Sequence, residues 1–169
     1  MGMSVTISAA TGDDAEKILK LQYLCYQDEA ALYGDYGIEP LTQTLEALRA
    51  ELAGGIVVVA RLGEEVVGSV RGSVDEDGTA RLAKLIVHPR MQRHGLGGRL
   101  LRAIEERLAA ESEAKRYRLF TGHRSEVNLQ LYRKLGYAQI GSVEPVTRHL
   151  SLVHMEKPAA RPETYAASA

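Results

Sequence analysis

Residues 56–87 carry the hydrophobic pattern that most limits the folds open to this chain. A β-branched run over 56–60 precedes a stretch over 66–74 in which Val and Gly recur at a period of two. Asp77-Gly78 then supplies a dipeptide that favours a tight hairpin turn, and the pattern over 80–87 predicts another strand. Three consecutive strands joined by short turns form an antiparallel meander, so the chain must build a largely antiparallel sheet near its centre.

The rest of the chain shows helical and strand patterns on both sides of this meander. The additional predicted elements are strands over 4–9, 116–121, 137–141 and 147–155, and helices after Thr11, over 40–54, over 95–110 and over 125–136. We therefore expect an α+β fold with four helices and a mixed, mostly antiparallel sheet of about seven strands. A chain of 169 residues is expected to form one domain. We place that domain over 1–157, with a loose, aperiodic tail over 158–169.

Composition excludes several classes of function. The 21 Lys and Arg residues are balanced by 22 Asp and Glu residues, so the basic excess of a nucleic-acid-binding protein is missing. Cys25 is the single cysteine, and no histidine pair has ligand spacing, so we expect neither a disulfide nor a metal site. The longest apolar run falls far below the ~20 residues that span a bilayer. With no secretory signal pattern either, a cytoplasmic protein without membrane partners is expected.

The segment 85–101 is the one most typical of a ligand-binding site. It begins as a strand, continues through a loop rich in hydrogen-bond donors, and enters a helix at Gly95, Gly97 and Gly98. Glycines let the backbone approach a ligand closely, and the first N–H groups of a helix have no helical acceptor, so an anion such as a pyrophosphate is favoured there. A P-loop is excluded because no Lys-Ser or Lys-Thr pair occurs, and a dinucleotide fingerprint is excluded because its last glycine is absent.

Two motifs in this order resemble those of the GNAT superfamily of acyl-CoA-dependent N-acyltransferases. The first is [QR]-x-x-G-x-[GA] after a strand that ends in Val-x-Pro, and here it follows Val87-His88-Pro89 and occupies 92–97. The second is N-x-x-L-Y-x-x-x-G-[FY], which occupies 128–137. The resemblance covers residues 4–156 and implies a GNAT-like domain whose central strands splay apart near 85–87 and 119–121.

The resemblance also implies roles for individual residues. Acetyl-CoA would be the cosubstrate, its thioester carbonyl held by the backbone N–H of Leu85, and Tyr132 would act as general acid toward the leaving sulfur. The implied cofactor-binding residues are Ile86, Val87, His88, Gln92, Arg93, His94, Gly95, Leu96, Gly97, Gly98, Arg99, Ser125 and Asn128. The residues alone leave second interpretations open: Tyr132 as a core tyrosine, His88 as a surface residue before a turn, and His94 as a solvated side chain.

The sequence departs from the family at the positions where a catalytic carboxylate is usual. Many members carry a glutamate early in the strand that precedes the first motif, and this chain has Arg81 there. Some relatives carry a second carboxylate after the next strand, and the matching segment here, 120–125, contains no acid. The base must then come from elsewhere, act through water, or be unnecessary for an amine that is already partly neutral.

Aromatic and acidic residues cluster where the acceptor should bind. Tyr26, Glu29 and Tyr33, with His123 after the splayed strand, form the predicted substrate site, because aromatic faces and carboxylates suit a cationic amine. The residues alone are equally compatible with a solvated acidic loop that contains some packed tyrosines. We expect an N-acetyltransferase that moves acetyl from acetyl-CoA to a primary amine, on a small molecule or a peptide, by direct attack in a ternary complex. The alternative is a non-catalytic CoA-binding regulatory module. The resemblance is also compatible with a homodimer.

Overall fold

The computed structural model describes residues 4–159, which form one mixed sheet with helices on both faces. The strands are β1 (Val5–Ala9), β2 (Ile56–Leu62), β3 (Glu65–Val74), β4 (Thr79–Val87), β5 (Arg116–Gly122), β6 (Ala138–Gln139), β7 (Glu144–Pro145) and β8 (Ser151–Pro158). The helices are α1 (Ala15–Tyr33), α2 (Glu39–Thr42), α3 (Leu45–Gly54), α4 (Leu96–Ser112) and α5 (Glu126–Lys134), with short 3-10 turns at Gly12–Asp14 and Pro89–Met91. Most of the predicted tail over 158–169 lies outside the described residues.

The sheet has the order β1-β2-β3-β4-β5-β8-β6, with β7 also paired to β8. Every pairing is antiparallel except that of β4 with β5. These two parallel strands pair only where 79–81 lies beside 116–118. Beyond that point they diverge, which confirms the α+β fold with splayed central strands.

A β-bulge interrupts the pairing of β3 with β4. Ser69 pairs with Ile86 and Arg71 pairs with Ala83, so a single residue of β3 faces both Lys84 and Leu85. Lys84 has φ +53°, a left-handed conformation that non-glycine residues rarely adopt. Bulges bend a strand and redirect its side chains, and this one lies where β4 separates from β5.

The core lies on both faces of the sheet. On one face, α4 places Leu100, Ile104 and Leu108 against the sheet, and all three are fully buried. On the other face, α1 and α3 place Ile18 and Leu48 against the sheet, both also fully buried. Full burial of such side chains stabilises the fold by about 1.5–3 kcal/mol each. Within residues 4–159, no helix combines the length and apolar character needed to cross a membrane.

The region predicted as a single helix over 40–54 forms two helices, which gives five helices instead of four. Gln43 has extended backbone between α2 and α3, and its side chain points into the protein, where its Oε1 accepts from Gln22 Nε2 at 3.0 Å. Thr44 then caps α3 by accepting a hydrogen bond from the Ala47 amide at 3.1 Å. Buried polar groups need partners, and that need breaks the helix despite its apolar stripe. The short β7, at the expected connection around Glu144-Pro145, raises the strand count to eight.

Candidate active site

A cavity of about 420 Å³ opens where β4 and β5 diverge. Its floor comes from 82–85 of β4 and 119–122 of β5, because the two strands leave a gap between them there. Helices α1 and α5 also line it, as do the segments 35–40 and 146–152, in which Glu39 and Val146 are exposed, and we call these two segments its mouth. The cavity brings together side chains that lie far apart in the sequence, from Tyr26 to Leu152.

Tyr132 reaches this cavity from α5. The residue is 6% exposed, and its ring lies 6.1 Å from that of Tyr137, centroid to centroid. Its hydroxyl makes no hydrogen bond to any other group within residues 4–159. Burial, with a smaller contribution from the negative charge of Glu29, raises the pKa of Tyr132 above its ordinary value. The phenol therefore stays protonated at neutral pH and can donate into the cavity.

Glu29 enters the same cavity from α1 and is held by a chain of hydrogen bonds. Ser125 Oγ lies 2.9 Å from Glu29 Oε1 and 3.3 Å from Oε2 and donates to the carboxylate. The Tyr33 hydroxyl lies 2.8 Å from Ser125 Oγ, and it accepts from the Arg124 amide at 2.9 Å. Burial raises the pKa of Glu29, and the hydrogen bond from Ser125 offsets part of that rise.

Leu85 lies on the cavity floor, beside the bulge. Neither Leu85 nor Lys84 has a partner in the register of β3 with β4. Two residues farther along β4, the carbonyl of Val87 accepts from Gln92 Nε2 at 3.1 Å and from Cys25 Sγ at 3.4 Å. The end of the strand is thus fixed while the bulge faces the cavity.

The loop between β4 and α4 presents a row of backbone N–H groups. The first helical hydrogen bond runs from the Arg99 amide to the Gly95 carbonyl at 3.2 Å. The amides of 92–98 donate no hydrogen bond to any described part of the chain. Gly95 has φ +76°, and a Cβ at this position would have no atom within 4 Å, so the space beside it is open. Such a set of unpaired amides at a helix N-terminus attracts an anion.

The sequence model of the Acetyltransferase (GNAT) family matches residues 16–137, well over half of the chain. The chain belongs to the GNAT acetyltransferase family. A comparison with curated proteins finds no match.

Solved structures share the fold of this GNAT domain at low sequence identity. An acetyltransferase of the GNAT family from Streptococcus pneumoniae superposes with a TM-score of 0.77 at 20% identity, covering 93% of this chain and 100% of that one. The PaiA N-acetyltransferase from Thermoplasma acidophilum, in complex with coenzyme A, gives 0.74 at 20% identity, covering 92% and 99%. A putative acetyltransferase from Salmonella typhimurium, with its cofactor acetyl-CoA, gives 0.73 at 20% identity, covering 94% and 96%.

The structure brings six of the predicted site residues together around the cavity. They are Tyr26, Glu29, Tyr33, Leu85, Asn128 and Tyr132. Ser125 lies behind Glu29, on the side predicted for the acceptor. His123 does not line the cavity, because its Nδ1 accepts from the Ser151 amide at 3.0 Å.

Several predicted cofactor-loop side chains already have partners within this GNAT domain. His88 Nδ1 accepts from the Arg90 amide at 3.1 Å, which makes it the cap of the 3-10 turn. Arg99 lies 3.4 Å from the Val5 carbonyl and donates to it. The loop therefore offers an anion mainly its backbone amides.

Sequence reasoning missed Lys84, which lines the cavity from the bulge. Its Nζ lies 2.7 Å from Glu39 Oε1, 3.2 Å from Gln43 Oε1 and 3.9 Å from Glu51 Oε2. The residue therefore ties β4 to α2 and α3. No sequence signal marks it, because a bulge with a left-handed lysine has no characteristic local pattern.

Proposed function

We propose that this GNAT acetyltransferase transfers an acetyl group from acetyl-CoA to a primary amine by direct attack in a ternary complex. The observation that carries the proposal is the cavity between β4 and β5. It collects a protonated phenol (Tyr132), a carboxylate (Glu29) and the bulged backbone at Leu85 in one space. A carbonyl placed there would meet an N–H group on one side and a proton donor on the other.

The loop over 92–98 fits the pyrophosphate of acetyl-CoA. Its amides are unpaired within the described chain, and the space beside Gly95 is open. Arg93 and His94 add donors, while backbone groups of Ile86 and Val87 would bind the pantetheine arm much as an added strand does. Solved relatives from Thermoplasma acidophilum and Salmonella typhimurium contain coenzyme A and acetyl-CoA, which supports this assignment.

In the proposed reaction, the amine nitrogen bonds to the thioester carbonyl carbon and the carbon–sulfur bond breaks. The N–H of Leu85 would hold the developing oxyanion, and Tyr132 would give its proton to the departing sulfur. Burial raises the pKa of Cys25 to about 12, and its Sγ already donates to the Val87 carbonyl. A covalent acyl-cysteine intermediate is therefore disfavoured, which leaves direct attack.

The residues at the mouth of the cavity favour an acceptor amine whose carbon skeleton is apolar, which we call its apolar body. Ile38 on the α1–α2 connection and Val146 and Leu150 on the β7–β8 connection line the entrance. Carboxylates of Glu29 and Asp35 lie in the same cavity and suit an ammonium group. We infer that 2-phenylethylamine is a better acceptor than ethanolamine, since both carry one primary amine and only the first has an apolar body.

Two measurements on the intact protein test the proposal. Acetyl-CoA should raise the melting temperature, and thiol release from acetyl-CoA should require a primary amine. The missing carboxylate at Arg81, which is ion-paired with Asp75 at 2.9 Å, favours the alternative of a CoA-binding module. That module would give the thermal shift with no amine-dependent thiol release, and an unchanged melting temperature would refute both functions.

A matched pair of variants tests the apolar entrance. Val146→Asp should raise KM for 2-phenylethylamine several-fold, because Val146 is 51% exposed in the free protein and a carboxylate there would replace the apolar contact that the acceptor makes on binding. Val143→Asp is the control, because Val143 is exposed to a similar degree as Val146 but does not line the cavity. Equal effects of the two variants on KM would contradict the inferred apolar body.

A further inference from the structure

The proposed reaction requires that an ammonium group lose a proton before the nitrogen can attack. An alkyl amine with a pKa near that of a lysine, about 10.4, is almost fully protonated at neutral pH. Arg81 stands at the position where a carboxylate is usual, and its side chain is exposed and paired with Asp75. A base for this step must therefore come from another element of the fold.

Three acidic side chains line the cavity, and two of them are already committed to other partners. Glu39 Oε1 forms an ion pair with Lys84 Nζ at 2.7 Å. Asp35 Oδ1 accepts from the Gly37 amide at 2.8 Å in the turn that follows α1. Glu29 has no cationic side chain within 4.0 Å among residues 4–159.

The fold holds the Glu29 carboxylate in place without neutralising it. Its only side-chain partner in the described chain is the hydroxyl of Ser125, which lies 2.9 Å from Oε1 and 3.3 Å from Oε2. Tyr33, at the end of α1, bonds to that hydroxyl at 2.8 Å, and the amide of Arg124, in the loop after β5, donates in turn to the Tyr33 hydroxyl at 2.9 Å. A carboxylate that accepts one hydrogen bond keeps free lone pairs, so Glu29 can accept a proton from a group in the cavity.

We propose that Glu29 is the general base of the reaction and that Ser125 and Tyr33 are its positioning residues. This inference rests on the proposed function. Glu29 takes one proton from the ammonium group and passes it to solvent, and the free nitrogen attacks the carbonyl carbon. When the carbon–sulfur bond breaks, Tyr132 protonates the sulfur. The second proton lost by the nitrogen restores the phenol, so the products are the amide, the thiol and one proton.

The surroundings of Glu29 suit this role. Burial raises the pKa of Glu29 above the ordinary value of a glutamate, which makes its carboxylate a stronger base. The titratable and charged groups around it are Tyr26, Tyr33 and Asp35 from α1 and its end, Glu39 at the mouth, Lys84 from β4, and Tyr132 from α5. Burial also raises the pKa values of Tyr26 and Tyr132, so both stay neutral and neither competes for the proton.

The test compares the pH dependence of kcat/KM for wild type, Glu29→Gln and Asp28→Asn, with 2-phenylethylamine as acceptor. Asp28 is the adjacent, exposed acid on α1 and does not line the cavity, so it is the matched control. Wild type and the control should show a plateau between the pKa of Glu29 and that of the amine. Glu29→Gln needs amine that is already neutral, so its kcat/KM should rise about tenfold per pH unit up to the pKa of the amine. At pH 7 the loss should be about 10²–10⁴-fold.

A second readout uses the protein without either substrate. A ¹³C-NMR titration of the Glu29 carboxyl should show a pKa above the ordinary value of a glutamate, and Ser125→Ala should raise it further, because the hydrogen bond that favours the charged form is lost. An ordinary pKa for Glu29 overturns the proposal. A Glu29→Gln profile that keeps the wild-type plateau, at any level of activity, also overturns it and leaves Glu29 a binding residue. Wild-type protein that shows neither an acetyl-CoA thermal shift nor thiol release would refute the proposed function instead.

Discussion

Gly122 lies at the end of β5, directly against the ring of Tyr33. A Cβ at this position would lie 2.1 Å from the Tyr33 Oη, 2.5 Å from Cζ and 2.9 Å from Cε2. Non-bonded heavy atoms need about 3.5 Å, so Gly122→Ala must push the hydroxyl away by roughly 1.4 Å. Tyr33 is 4% exposed, and the free space beside its ring is the cavity that it lines, so the ring can give way only by moving into that cavity.

The cost follows from the contacts that Tyr33 would lose. Its hydroxyl bonds to Ser125 Oγ at 2.8 Å and to the Arg124 amide at 2.9 Å, and a displacement of this size breaks both. Overpacking costs about 1–3 kcal/mol, and each lost hydrogen bond costs about 0.5–1.5 kcal/mol. The smaller unfolded-state entropy of alanine offsets about 0.4–1 kcal/mol. We expect a net loss of about 2–4 kcal/mol of unfolding free energy, which corresponds to a decrease in Tm of about 5–15 °C for a domain of this size.

The assay is urea and thermal unfolding of Gly122→Ala beside two controls. Gly54→Ala adds a Cβ at the end of α3, where no atom lies within 4 Å, and should leave stability unchanged or raise it. Tyr33→Phe removes the two hydrogen bonds without a clash. The reasoning is refuted if Gly122→Ala unfolds within about 1 kcal/mol of wild type, the size of one hydrogen bond. A loss no larger than that of Tyr33→Phe would refute the steric part alone.

Three further predictions concern the leaving group, the cofactor loop and an ion pair outside the cavity. Tyr132→Phe keeps the ring and removes the proton donor, so kcat should fall at least about tenfold while the acetyl-CoA thermal shift is unchanged; a kcat within a factor of about two would make Tyr132 a core residue. Gly95→Val should abolish the stabilisation of about 2.7 kcal/mol expected at a hundredfold excess of acetyl-CoA over Kd, whereas Gly141→Val, at another exposed left-handed glycine, should keep it. Arg61, 2.7 Å from each carboxylate oxygen of Asp14, holds the pKa of that carboxyl below its usual value, so its contribution is present above about pH 4 and is lost as pH falls through the folded pKa. Asp14→Asn should then lower unfolding free energy by about 1–3 kcal/mol at pH 7, and this difference should vanish in acid; a difference independent of pH would refute the assignment.

Local sequence patterns predicted the parts of the fold that local physics decides. The meander, the hairpin at Asp77-Gly78 and the glycine-rich entry into α4 each depend on neighbouring residues, and each lies where it was expected. The break between α2 and α3 could not be predicted, because it depends on Arg71, which is distant in sequence and donates to Gln43 Oε1 at 3.3 Å. The bulge at Lys84 is likewise set by pairing with β3 rather than by its neighbours in sequence.

The candidate site shows the same division between local and distant causes. The residues Tyr26, Glu29 and Tyr33 were predicted as an acceptor group from composition, and the structure places all three at the cavity. The contact of Glu29 with Ser125 joins residues 96 positions apart, so no local pattern could distinguish Glu29 from the other acids nearby. Ser125 was predicted to bind the cofactor, and that role stays a prediction; in the structure its hydroxyl bonds to Glu29 and Tyr33.

A buried polar network fixes where the mouth of the cavity lies. Arg71 on β3 donates to Gln22 of α1 at 2.5 Å and to Glu51 of α3 at 2.7 Å, and Lys84 on β4 shares Gln43 and Glu51 with it. Burying two cations costs desolvation free energy, and well-packed apolar side chains often stabilise a fold as well or better. Hydrogen bonds to charged groups require a defined geometry, so the network holds α1, α2 and α3 at fixed positions relative to the bulge. Glu29 on α1 and Ile38 on the α1–α2 connection depend on those helices, which links the geometry of the proposed site to residues that touch neither substrate.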